Sequence, residues 1–134
     1  MSTATPTRRR AGLIRTGLAA TLTAMVAVTA VAALARALGA DFELPDGGEA
    51  IPLPGFAVVT GVFSLIGVAL AGACRRWSER PATHFLRIAV TLTAISLVPP
   101  FLVGATAATT AALLVLHLVA AAIVIPTLTR RLES

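Results

Sequence analysis

From residue 88 to residue 129 the chain carries no charged side chain; the run is broken by Pro99-Pro100 and holds a lone histidine, His117. An α-helix rises 1.5 Å per residue, and about 20 apolar residues cross the roughly 30 Å of hydrocarbon in a bilayer. The run therefore predicts two membrane-spanning helices, residues 85–102 and 106–129, joined by a tight turn. Proline lacks an N–H and disfavours helical geometry in the residue before it, so Pro99-Pro100 ends or kinks the earlier span. Gly104 then allows the chain to reverse.

The same pattern occurs twice upstream. Arg8-Arg9-Arg10 and Arg15 precede an uncharged run that closes at Arg36, which predicts a first span over residues 14–36. Phe56 opens a second, residues 56–74, which ends in Cys74-Arg75-Arg76-Trp77. The predicted fold is all-α: one membrane domain, residues 1–134, built as a bundle of four transmembrane helices. A cleaved signal is the competing reading of the first span, because Arg9-Arg10 with Leu13 has a twin-arginine look and Ala35-Arg36-Ala37 has the small-x-small form of a cleavage site. Its apolar run exceeds the 7 to 15 residues usual in signals, so a retained span is expected. Gly61, Ser64, Gly67 and Ala71 on the second span share one helical face with small residues, as do Ala20, Thr23, Ala27 and Ala30 on the first. Such faces predict close packing of these two helices.

Between them, residues 39–55 change character. Asp41, Glu43, Asp46 and Glu49 gather around the turn signature Pro45-Asp46-Gly47-Gly48. Phe42-Glu43-Leu44 and Glu49-Ala50-Ile51 are placed to pair as a short hairpin lying on the membrane surface, with Pro52 and Pro54 stopping the pairing. The acids lack the spacing and closing glutamate of an EF-hand, so a solvated acidic loop is expected in place of a Ca2+ site.

Composition and charge add a location and an orientation. The chain is 57% hydrophobic and 13% charged, with a mean hydropathy of +0.89, against about 25% charged residues in a soluble domain. All eleven basic residues are arginine. With both termini inside, every arginine except Arg36 falls on the inner side, and Arg36 sits where Asp41 and Glu43 can neutralise it, so the positive-inside rule predicts an N-in, C-in protein of the cytoplasmic membrane. The basic pI is thus a matter of helix ends. Too few aromatic residues interleave the arginines for nucleic-acid stacking, and nucleic acid is not expected as a partner. The single cysteine excludes an internal disulfide. Leu70-Ala71-Gly72-Ala73-Cys74 has the form of a lipoprotein cleavage box but lies mid-chain, so Cys74 reads as a small apolar residue at a helix end.

One candidate polar site remains. His117 is the only ionisable group deep within a span, where such a residue is costly and marks function by default. Counting back from a turn near Gly104 sets His117 level with Thr91 or Thr93, and Ser64 lies at similar depth. A hydrogen-bonded tie among these residues, worth about 0.6 to 2 kcal/mol, is the favoured reading, with a titrating proton or ion site as the alternative. No cofactor is expected: a metal or bis-histidine haem needs a second ligand at that depth, and His84 lies at the inner surface. Ser96 with His117 lacks a nucleophile elbow and an orienting third group, so no enzyme is expected.

Taken in order, Phe42 with Pro45, Gly47 and Gly48, the run Ile51-Pro52-Leu53-Pro54-Gly55-Phe56, the break Ser96-Leu97-Val98-Pro99-Pro100, and His117 followed by Ile123-Val124-Ile125-Pro126 carry a likeness over most of the chain. In these the sequence resembles an uncharacterised family of small four-span membrane proteins from actinobacteria. The resemblance implies a four-helix membrane protein without an assigned activity. The expected role is a structural or accessory partner of other membrane components, with the bilayer and either a second copy or another membrane protein as partners. The alternative is a small proton-linked transporter or channel coupled through His117.

Overall fold

Thr5 accepts a hydrogen bond from the Arg8 amide at 3.3 Å and Pro6 fills the first turn, so α1 (Pro6–Ala37) starts well before its apolar run. Arg8, Arg9 and Arg10 are therefore helical. The computed structural model describes residues 5–45 and 49–134, and the centre of the expected turn, residues 46–48, lies outside them. Pro52 and Pro54 bracket the start of α2 (Leu53–Trp77), and Pro81 opens α3 (Pro81–Ser96). The chain then breaks at Leu97-Val98, and Pro99-Pro100 begins a short α4 (Pro99–Leu102), so the third span is kinked where the prolines predict. Gly104 takes φ +70° in the reversal, Thr106 caps the next helix by accepting from the Thr109 amide at 3.2 Å, and α5 (Ala107–Glu133) runs to the end of the chain. Pro126 stands inside α5, which continues through it, and next to the proline Thr127 donates its hydroxyl to the Ile123 carbonyl at 2.6 Å.

These helices make four segments long and apolar enough to cross a membrane, with α3 and α4 together forming the third. The protein is an all-α bundle, and among the described residues extended pairing is limited to one antiparallel bridge between Glu43 and Ala50.

α1 packs chiefly against α2 and α5, and α3 lies to one side against α5 and α2. The seam of α1 is Leu13, Gly17, Ala20, Thr21, Ala24, Val28 and Ala32. Of the small-residue stripe expected there, Ala20 is buried, Ala27 is half-buried, and Thr23 and Ala30 face outward. The face is rotated because Gly17 and Ala24, together with the larger Leu13 and Val28, complete the contact. On α2 the expected face is the one used: Gly61, Ser64 and Ala71 are buried and Gly67 is half-buried. Two apolar clusters result. One, toward the arginine-rich end, contains Leu13, Ala71, Phe85 and Leu128. The other, toward the acidic loop, contains Val28, Phe42, Phe56 and Leu116.

Lipid tails are as apolar as these side chains, so close fit and not water exclusion holds the helices together. Gly17 shows how close the fit is, since a Cβ there would lie 2.6 Å from a Val68 methyl. Gly72 faces open space, since among the described residues no neighbour would lie within 4 Å of a Cβ there. Gly17→Leu is expected to lower stability by about 1–3 kcal/mol through overpacking. Gly72→Ala is expected to stay within about 0.5 kcal/mol of wild type. Thermal unfolding of the purified protein in detergent measures both.

Candidate functional site

The mid-membrane residues singled out in the sequence do not meet through side-chain hydrogen bonds. His117 is half-buried on α5, and its Nδ1 bonds the Leu113 carbonyl one turn earlier at 2.6 Å. Because a carbonyl only accepts, Nδ1 carries the proton. Thr91 and Thr93 likewise donate to carbonyls of their own helix, Arg87 at 2.7 Å and Ala89 at 2.8 Å, and Thr91 is exposed on the outer side of α3. Ser64 is buried on the packing face of α2. The expected tie from His117 to Thr91 or Thr93 is thus replaced by bonds within each helix. A carbonyl one turn back has a free lone pair at fixed distance, whereas a partner on another helix must be brought into register.

Tertiary polar contacts gather instead at the two ends of the bundle. At one end the acidic loop docks onto the start of α5. Thr109, fully buried in the first turn of α5, accepts from the Phe42 amide at 3.0 Å and donates to Asp41 Oδ1 at 2.8 Å. The Glu43 amide also donates to Asp41 Oδ1, at 3.1 Å. The helix macrodipole favours a carboxylate at this position. Phe42 is fully buried with its ring edge-on to Phe56, centroids 4.8 Å apart, and Arg36 lies over it at 5.8 Å.

Docking this ring requires φ +55° at Phe42, a left-handed conformation that a bulky side chain rarely adopts. Strain of this kind costs on the order of 1–3 kcal/mol, and burying a phenylalanine returns about 1.5–3 kcal/mol, so ring burial with the Thr109 bonds holds the conformation. Arg36, expected to be neutralised by Asp41 or Glu43, donates instead to the Ile51 carbonyl at 2.6 Å, because the loop turns Ile51 toward the end of α1.

At the other end arginines converge. Arg75 of α2 donates one amino group to the Arg9 carbonyl of α1 and the other to the Arg131 carbonyl of α5, both at 2.8 Å, tying three helices together. The Arg131 carbonyl lies in the last turn of α5, where orphan carbonyls and the macrodipole both favour a cation. The Arg131 side chain packs on Gly12, and its Nε, like the Thr129 hydroxyl, is buried without a hydrogen-bond partner among the described residues.

Residues 8–134 match the sequence profile of DUF6069, a family of unknown function. The chain belongs to that family. No curated protein and no solved structure matches it. The match bears out the resemblance to an uncharacterised family, and the four apolar helices agree with the membrane architecture expected of it.

In this DUF6069 chain the best-built polar arrangement is the Asp41–Phe42–Thr109 cap, and Thr109 went unrecognised in the sequence. One signal pointed to the cap, an aromatic residue set among acids at Phe42. Nothing local connects Phe42 with a threonine far along the chain.

The Asp41 carboxyl is held below its ordinary value of 3.8, first by the Glu43 amide and then by the Thr109 hydroxyl. A depressed folded pKa means that the stabilisation is complete above the unfolded value and is lost as pH falls through the folded one. Asp41→Asn is therefore expected to melt below wild type at pH 7, with the gap closing as the pH falls below about 4. Thr109→Val is expected to cost about 1–3 kcal/mol at pH 7, since it leaves the buried Phe42 amide unpaired. Thermal melts across pH check both.

Proposed function

We propose that this protein is an accessory subunit of the cytoplasmic membrane, non-enzymatic, oriented with both termini inside, which binds a second copy of itself or another membrane protein through its third span. The observation that carries this reading is the uneven burial of the spans. Within the apolar window of Pro81–Leu102 only 11% of residues are buried, against 22–28% in the other three. Phe85 is the one buried residue of α3, while Val90, Leu92 and Ile95 stand exposed on its surface. α1 packs along both α2 and α5, and α3, buried least of the four spans, offers an apolar face beyond what its own fold uses. The placement of every arginine but Arg36 at one end supports the orientation.

Transport is the rival that the same experiment addresses. His117 bonds its own helix, and among the described residues it makes no side-chain hydrogen bond to another helix. Photo-crosslinking residues introduced at Leu92 and Ile95 in native membranes are expected to give a discrete protein adduct, its mass distinguishing a second copy from a foreign partner. The same residues at Leu18 and Leu22 of α1 are expected to give lipid adducts alone. Lipid adducts from α3 as well, together with proton-driven flux in liposomes that His117→Gln abolishes, would replace this proposal with the transporter.

A further inference from the structure

A lateral groove of about 680 Å3 runs between the first turns of α1 and the last turns of α2. Its mouth is cationic, with Arg9, Arg10 and Arg76 exposed around it, and Arg75 is already committed to two backbone carbonyls. Below them the walls are apolar: Ile14 on one side, Val68 and Ala69 on the other, with Gly72 on the α2 wall. Among the described residues nothing lies within 4 Å of where a Gly72 Cβ would stand, so none of them fills the space beside it. Trp77 stands exposed at the mouth with the Arg76 guanidinium 5.3 Å from its ring, an arrangement suited to the headgroup level of a bilayer.

The charge there is uncompensated. Glu79 and Glu133 are the acids of this end of the bundle; both are exposed, and no ion pair within 4.0 Å forms among the described residues. Arginines spaced around a groove at headgroup depth, above an apolar cleft open to the side, match a molecule with an anionic head and an acyl tail. Guanidinium groups bind phosphate oxygens in pairs, with geometric fit as well as charge. Basic pockets between transmembrane helices take anionic headgroups for this reason.

We propose that this groove binds one anionic phospholipid, its phosphate held by Arg10 and Arg76 and an acyl chain lying over Gly72. Arg75 positions the site by fixing α1 and α2 at their arginine-rich ends and does not itself need to contact the lipid.

The test uses the full-length protein, stripped of lipid in a neutral detergent and read by native mass spectrometry and thermal melting. Phosphatidylglycerol, phosphatidylcholine and inorganic phosphate are added separately. Phosphatidylglycerol is expected to be retained in preference to phosphatidylcholine and to raise the melting temperature. Each arginine near the surface contributes about fivefold, so R10Q/R76Q is expected to weaken phosphatidylglycerol retention about 25-fold. Gly72→Leu, which fills the cleft, is expected to abolish retention while melting like wild type in lipid-free detergent. Equal retention of phosphatidylcholine, undiminished retention in both variants, or an equal melting shift from inorganic phosphate alone would each overturn the proposal.

Discussion

Within hydrocarbon no water is present to satisfy a hydroxyl or an imidazole, and seven polar side chains of the spans answer to that constraint in the same way. Thr21, Thr23, Thr29, Thr91, Thr93, His117 and Thr127 all bond the carbonyl of the residue four before them. Such bonds stabilise the group without saying which helices should be neighbours. The middle of the bundle is therefore specified by shape, through Gly17 against Val68 and Gly61 against Met25, and direction-dependent polar contacts are left to the ends. There water competes less completely than in a loop and lipid excludes less completely than at mid-span. Arg75 gathers three helices at one end, and Thr109 gathers the acidic loop at the other.

This division explains what the sequence made legible. Helix number, the kink at Pro99-Pro100, the reversal at Gly104 and the packing face of α2 follow from hydropathy, proline geometry and small-residue spacing, which are local properties. The face of α1 was less legible, because Leu13 and Val28 join the contact and no rule of small residues selects them. The candidate polar site was least legible. Depth alone placed His117 near Thr91 and Thr93, but depth does not fix the rotation of a helix, and α3 turns Thr91 outward. Thr109 lay unseen for the opposite reason: its partner Phe42 sits in a loop whose docking depends on the assembled bundle.

The acidic loop also changes how the two apolar clusters relate. Phe42 belongs to the loop-end cluster as fully as Val28 or Leu116 does, so that half of the interior is completed by a residue outside any helix. The other cluster is built from the helices alone, with Phe85 as the contribution of α3.

That dependence has a consequence for the order in which the molecule is made. The loop following α1 leaves the ribosome long before α5, yet the threonine that receives Phe42 lies in the first turn of that last helix. Until α5 has entered the membrane, Phe42 has neither Thr109 nor Leu116 to settle against, and its left-handed backbone has nothing to hold it. The cap thus closes only on a finished chain, and a ribosome stalled before α5 leaves a protein with its loop undocked, open to the proteases that clear incomplete membrane proteins.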